Sequence, residues 1–475
     1  MVSQLEKNIG WRLHFWAALF ATPFVLVATL TGVLYVFTPQ IEKYLYGHMD
    51  EVKAQSQNAT LDAAVAVAAS RAPKDWRLYA ISPSSRDDQS HQIVFVPPIT
   101  KNSQGGGIQS GHSSHSQANA ESSNQFLKPV FGFPKNAHIF YINPYTLEFL
   151  GTLEQQNRFT FWAKKLHSTL LQGSDWRWMI EWGASWLLIM LLTGVILAWP
   201  KNLSELIPEK SISGRQAWKK WHALVGLVFS ILSLIIICTG LTWSQYTGQQ
   251  IRYLRDMSGQ APPQVPANLR SVIVENSEAL SIQSIWKEIE KSSGSVRIQI
   301  LPPSGEDGVW RATHTEKSDP FQRFDLLLDA YSGKVLFYTG WKDQTLFGKA
   351  TAIGIPFHRG EFGIWNQFLL FIFGVGIIFS MTTGWVMVVK RFKSSSNFVP
   401  PLHAASWRRI PIPIGLLTLA LLWLMPLMIV GFVGVICAEV CLHFFQKKQN
   451  STEEQIKFSA DSTSYIQAQT EEQKH

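Results

Sequence analysis

Several things a secreted or catalytic fold would need are missing from this chain. Three cysteines in 475 residues make no disulfide framework, and Cys238, Cys437 and Cys441 all lie in or beside apolar stretches. No phosphate-binding glycine motif occurs, so no nucleotide or flavin module is expected within the chain. Neither a catalytic triad nor a carboxylate pair stands out. Charge is sparse, at 16% of residues against 46% hydrophobic. That balance is too apolar for an ordinary soluble enzyme and too polar for a chain wholly embedded in lipid. The +8 net charge does not call for nucleic acid, because the excess basic residues fall largely in short loops beside apolar segments, where orientation signals belong.

Five stretches contain no Asp, Glu, Lys or Arg over membrane-crossing length: 13–41, 182–200, 221–251, 362–389 and 410–438. They define a polytopic α-helical membrane protein. The first span (1–41 with its N-terminus) is too long for a cleaved signal peptide and is followed by no small-x-small site. Spans at 176–200, 221–251 and 358–390 follow. The run 410–445 reads as one long kinked helix or a hairpin about Pro426, and 446–475 is a polar tail. The short 201–220 loop carries Lys201, Lys210, Arg215, Lys219 and Lys220. The 391–409 loop and its edge carry Lys390, Arg391, Lys393, Arg408 and Arg409. The positive-inside rule therefore puts both loops and the N-terminus in the cytoplasm. The long segments 42–175 and 252–357 then lie outside, in a bacterial periplasm. Each reads as a small α+β domain: a helix former (Leu61–Ala69, Ser281–Ser292), then strand-like stretches with turns at Asn143-Pro144 and Ser332-Gly333. Residues 101–125, rich in Gly, Ser, Gln and Asn with His112 and His115, read as a disordered insertion.

The four best spans share a pattern. Each joins a histidine toward its N-terminal end to a Thr-Gly pair toward its C-terminal end: His14 with Thr31-Gly32, His167 with Thr193-Gly194, His222 with Thr239-Gly240, and His358 with Thr383-Gly384. The histidine-to-glycine separation is 18 residues in the first and third sets, and 27 and 26 in the second and fourth. The chain is thus two copies of a helix–ectodomain–helix unit. Eighteen residues of helix span about 27 Å, which starts His14 and His222 at the cytoplasmic surface. Twenty-seven would span about 40 Å, more than the hydrocarbon layer, so His167 and His358 stand at the outer surface before their helices begin.

One histidine pair at each surface suits two low-spin haems, each held by two neutral imidazoles from different segments. Because the helices alternate in direction, Gly32 and Gly240 end near the outer pair, and Gly194 and Gly384 near the inner pair. There they would let a macrocycle approach the backbone. Arg12 and Lys220 inside, and Lys164, Lys165 and Arg359 outside, are candidate partners for the propionates. The expected core is four helices holding two haem b.

At these residues the sequence resembles the PepSY-associated transmembrane family of bacterial inner-membrane proteins. The resemblance covers roughly 10–395 and rests on the four His…Thr-Gly helices and two PepSY-like ectodomains. Its most telling stretches are Tyr141-Ile142-Asn143-Pro144-Tyr145-Thr146, Leu328–Leu336 and Pro356-Phe357-His358-Arg359-Gly360-Glu361-Phe362-Gly363. The resemblance implies electron delivery across the inner membrane to periplasmic Fe(III) chelates such as ferric siderophores. The electrons would come from a separate cytoplasmic reductase or a quinol. The 101–125 insertion departs from the family pattern. Two rival readings are a non-redox receptor binding a peptide, protease or siderophore, and a transporter. Against the second, the spans lack midplane acids and broken helices.

Overall fold

The computed structural model describes residues 4–98, 125–130, 132–209, 211–273, 277–294, 296–392, 412–442 and 444. The expected insertion with His112 and His115, the loop beyond Phe392 and the 446–475 tail lie outside the described residues. In chain order, α1 (Gln4–Val36) is followed by the short α2 (Thr38–Asp50), then by an ectodomain half of α3 (Leu61–Arg71), β1 (Arg77–Ser82), β2 (His91–Val96), β3 (Phe126–Leu127), β4 (His138–Ile142) and β5 (Phe149–Glu154). The chain returns through α4 (Phe159–Thr169) to α5 (Trp178–Ala198). The second copy runs α6 (Gly214–Val228), α7 (Ser230–Leu241), α8 (Thr247–Met257), β6 (Val265–Pro266), α9 (Ile282–Ser293), β7 (Ile298–Leu301), β8 (Val309–His314), β9 (Phe324–Asp329), β10 (Val335–Gly340), α10 (Leu346–Arg359) and α11 (Ile364–Phe392). Two further apolar helices follow, α12 (Ile412–Leu424) and α13 (Leu427–Leu442).

Ile9–Val36, Ser174–Ala198 and Ile364–Arg391 are each long and apolar enough to cross a membrane. The third expected span, 221–251, is not one straight helix. The α6–α7 pair bends by 55° at Phe229 and ends at Leu241. Ser230 turns its hydroxyl back onto the Leu227 carbonyl at 2.8 Å, which loosens the ladder at the bend. The Phe229 ring lies where a Cβ at Gly376 of α11 would stand and meets Phe373 edge-on at 5.9 Å. Residues 247–251, expected inside the span, begin the separate α8. Its N-terminus is capped by the buried Glu181 carboxylate, which accepts from the Tyr246 and Thr247 amides at 2.9 and 2.6 Å and from the Thr247 hydroxyl at 2.7 Å. The C-terminal apolar run breaks at Met425-Pro426. Beyond the break, α13 lies along α1 and α5, with Val435 packed among Phe15, Trp16 and Trp186.

The two α+β units do not stand apart. They fuse into one eight-stranded antiparallel sheet, in the order β10-β9-β8-β7-β1-β2-β4-β5. The two halves meet where Ile81 of β1 pairs with Ile300 of β7. A single apolar core unites α3 and α9 with both halves of the sheet, from Leu61, Ile81 and Ile93 to Ile285, Ile300 and Leu326. The two helix starts cap one another. Asp62 of α3 accepts from the amides of Ile282 and Gln283 at 2.9 and 3.0 Å, while the Gln283 side chain accepts from the Leu61 amide at 2.7 Å. The repeat is also visible in the turns. Asn143 Oδ1 accepts from the Tyr145 and Thr146 amides, and Asp329 Oδ1 from those of Tyr331 and Ser332. The fifth residue of each turn is left-handed: Leu147 at φ 61° and Gly333 at φ 70°.

Candidate functional site

Each histidine is placed by its own repeat. His14 of α1 lies against α5, and His167 of α4 lies against α1. In the second copy His222 of α6 lies against α11, and His358 of α10 against α7. The two outer-surface candidates stand in short helices before their spans. A left-handed break follows each of them, at Leu170, Leu171 and Gly173 after His167, and at Gly360 and Gly363 after His358. Helix α4 is anchored by Glu42 of α2, which accepts from the Thr160 amide at 2.9 Å and pairs with Arg158 at 2.7 Å. Helix α10 is capped by Thr345, which accepts from the Gly348 amide at 3.1 Å. Asn366 braces the turn after it by donating to the Phe357 carbonyl at 3.1 Å.

All four rings are held in one way. The Nδ1 of His14 meets the Met190 carbonyl at 2.9 Å and the Thr193 hydroxyl at 3.2 Å. For His222 the partners are the Ser380 carbonyl at 2.9 Å and Thr383 at 3.1 Å. For His358 they are the Ile236 carbonyl at 3.1 Å and Thr239 at 2.9 Å. His167 meets Thr31 at 3.0 Å and the Ala28 carbonyl. In every case the carbonyl belongs to the residue three before the threonine. A carbonyl only accepts, so Nδ1 carries the proton and Nε2 keeps its lone pair. The threonine of the Thr-Gly pair is therefore a ring-orienting residue, a role the sequence reading did not assign.

Among protein atoms, each of the four glycines has a histidine ring as its neighbour. A Cβ on Gly194 would meet His14 Cε1 at 3.0 Å; on Gly32, His167 Cε1 at 3.4 Å; on Gly240, His358 Cε1 at 3.4 Å; and on Gly384, His222 Cε1 at 3.5 Å. They leave room for the imidazole that crosses their helix.

Between repeats the rings come together in pairs. His14 and His222 have centroids 6.1 Å apart and planes at 85°, and His167 and His358 are 6.5 Å apart at 63°. A metal–imidazole bond of about 2.0–2.1 Å, plus about 1.1 Å from ring nitrogen to ring centre, puts two imidazoles on opposite sides of one metal about 6.3 Å apart. Edge-to-face packing alone would tolerate the same distance. It would not require the Nδ1 proton to be fixed four times over. Among the described residues no third His, Cys, Asp or Glu joins either pair to make a protein-only metal cage.

A family model for the PepSY-associated TM region matches residues 11–391. The chain belongs to the PepSY-associated transmembrane family. The match takes in all four histidines and all four Thr-Gly pairs of this family member. No curated protein matches the chain.

The basic candidates divide. Arg12, 5% exposed, donates to the carboxylate of Glu439 on α13, through Nε at 3.1 Å and through Nη2. Trp16 Nε1 donates to the same carboxylate at 2.7 Å. The guanidinium expected to meet a propionate is thus engaged by an acid. Glu439 could have been read as its partner, because it is the one carboxylate in the 410–445 run. Lys220 donates to the Glu205 carbonyl at 2.6 Å, and Lys165 lies over the Phe161 ring. Arg359 donates to the Tyr35 hydroxyl at 3.0 and 2.6 Å and pairs with Glu361 at 2.9 Å. Lys164 is on the face of α4 that carries His167, three residues earlier.

Proposed function

We propose that this protein carries electrons across the bacterial inner membrane to a ferric chelate on the ectodomain side, with one haem b between His14 and His222 and a second between His167 and His358. The observation that carries the reading is the close pair of imidazoles at each end of the helix core, each with Nδ1 tied to a backbone carbonyl, which leaves the Nε2 lone pair for a metal. When bound, a haem supplies reversible one-electron chemistry. The chain supplies placement. Each repeat holds its own two rings through Thr and carbonyl contacts, so a planar group would be held at the seam between repeats by one ring from each. The Lys201, Arg215, Lys219 and Lys390 end lies with the His14–His222 pair, in keeping with a cytoplasmic N-terminus and entry of electrons there from a separate reductase or a quinol.

At the far end, the iron of a chelate accepts one electron and passes from Fe(III) to Fe(II). Its hard oxygen ligands hold the reduced ion less tightly, so the Fe–O bonds dissociate and the chelator is released with its covalent bonds intact. The test is re-oxidation of dithionite-reduced protein by ferric chelates, with Fe(II) trapped by a ferrous-specific ligand. His167→Ala and His358→Ala should block transfer while the inner position still reduces. Reduced protein that stays reduced with hydroxamate, catecholate and citrate complexes alike would refute the reading.

A further inference from the structure

Three cations from three separate elements converge beside the His167–His358 pair. Lys164 comes from α4, Arg359 from the end of α10, and Lys317 from the ectodomain loop after β8. The carboxylate among them is Glu361, 2.9 Å from Arg359 and 3.8 Å from Lys317; its Oε2 is buried without a hydrogen-bond partner. Other charges close by do not redress the balance. Arg177 acts on Lys164 from the start of α5, while Glu316 and Arg297 act on Lys317 with opposite signs. Glu42 is already paired with Arg158. Water reaches both lysines, the Lys317 side chain to 50%, yet protein crowds them. Desolvation, followed by the Arg359, Lys317 and Arg177 cations, pulls Lys164 down to about 8. Desolvation and Arg359 likewise lower Lys317.

The three side chains stand where the ectodomain loop after β8 meets the ends of α4 and α10, next to the ectodomain-side histidines; Glu361 ties Lys317 to Arg359, and Lys164 is one helical turn before His167. Like charges held together in such a place repel one another, and an anion relieves the repulsion. We propose that the cation cluster of Lys164, Lys317 and Arg359 selects anionic ferric chelates, whose ligands keep carboxylate or catecholate charge, over neutral hydroxamate complexes. The proposal rests on the ferric-chelate reading above and adds the substrate class. Iron(III) in a tris-catecholate or citrate complex carries net negative charge, and the three cations come from the membrane side and the ectodomain side at once. A chelate bound between them lies next to the pair from which the electron leaves. The carboxylates of a haem at His167–His358 share this chemistry, so the experiment separates the two sources.

Full-length protein in detergent is titrated with redox-inert Ga(III) tris-catecholate, Ga(III) citrate and a neutral Ga(III) tris-hydroxamate. The matching Fe(III) complexes are then used to re-oxidise the reduced protein. The two anionic complexes should bind at least about tenfold more tightly than the neutral one, and the advantage should shrink between low and high salt, as Debye screening requires. Lys317→Gln and Lys164→Gln should each cut the anionic-to-neutral ratio of kcat/KM about fivefold, the worth of one unit charge at contact distance in water. Lys334→Gln, an exposed lysine at the β9–β10 turn, should leave the ratio alone. Equal binding of anionic and neutral complexes overturns the proposal while leaving the ferric-chelate reading standing. Lysine variants that shift the haem spectrum or haem content without moving the ratio also overturn it, and assign the cations to the propionates. Selective Ga(III) binding without re-oxidation by any Fe(III) complex supports the anionic site but refutes electron transfer to it.

Discussion

Replacing the Thr-Gly glycines with alanine one at a time grades the crowding around each ring. At position 194 the added methyl would stand 3.0 Å from His14 Cε1, and at 384 it would stand 3.5 Å from His222 Cε1. Carbon atoms pack best at about 3.5–4.0 Å, so the His14 ring must retreat about 0.5 Å in Gly194→Ala, while His222 need hardly move in Gly384→Ala. The retreat is opposed by Met190 and Thr193 at 2.9 and 3.2 Å. A displacement of that size exceeds the roughly 0.2 Å that a metal–ligand bond tolerates. Disturbing the surroundings of a ligand typically weakens metal retention about 10–100-fold, which is the loss expected for Gly194→Ala at the His14–His222 position. Gly384→Ala should stay within about threefold. Pure helix packing predicts otherwise, since alanine is favoured over glycine inside a helix by about 0.5–1 kcal/mol, and both variants would then be as stable or more so with unchanged spectra. Haem per polypeptide and the Soret band of the two purified variants decide the matter. Equal behaviour at 194 and 384 would refute the argument that these glycines exist to admit an imidazole.

If the threonine hydroxyls orient the rings beside the carbonyls, Thr31→Val, Thr193→Val, Thr239→Val and Thr383→Val should each weaken haem retention a few-fold, the worth of one hydrogen bond, with serine restoring it; a haem titration of each variant reads this. In the ectodomain, His91 is 1% exposed, and its Nδ1 accepts from the Ser84 amide at 2.9 Å. Burial lowers it to about 4 in the folded state, so the fold binds fewer protons than the unfolded chain, for which the group titrates near 6.5. The stability it supports is whole above about pH 6.5 and lost as pH falls toward 4, about 3 kcal/mol over that window. Thermal melts across pH 4–7 should show this slope, and His91→Gln should flatten it. Asp62→Ala removes two amide acceptors at the start of α9 and should cost about 1–2 kcal/mol of ectodomain stability by denaturant titration.

The helix core was legible because its signal is long-range and repeated. Runs without charge mark the spans, and the 18-residue His-to-Gly spacing, found twice, fixes depth. Depth in turn says which histidines can meet. What the spacing could not show is which atom of a neighbouring helix a ring touches. The threonine was read only as half of a Thr-Gly pair, since its contact with Nδ1 arises across helices, and the glycine's contact with Cε1 likewise. The 55° bend at Phe229 leaves no Pro or Gly signature, because Ser230 and the packing at Gly376 produce it. Fusion of the ectodomain halves rests on β1 and β7, short strands whose pairing no local pattern encodes. The Arg12–Glu439 pair joins residues 427 apart, which no local pattern links, although a lone acid in an apolar run is itself a request for a cation.

The central claim is that two imidazole pairs, one at each end of the helix core, each hold a haem. Haem content and the dithionite-reduced spectrum of the purified full-length protein and its four single His→Ala variants test this most directly. Two haems per chain are expected, both six-coordinate and low-spin. His14→Ala and His222→Ala should lose or convert one haem, and His167→Ala and His358→Ala should lose or convert the other. A colourless protein after haem supplementation, or four variants with unchanged content and spectra, would contradict it.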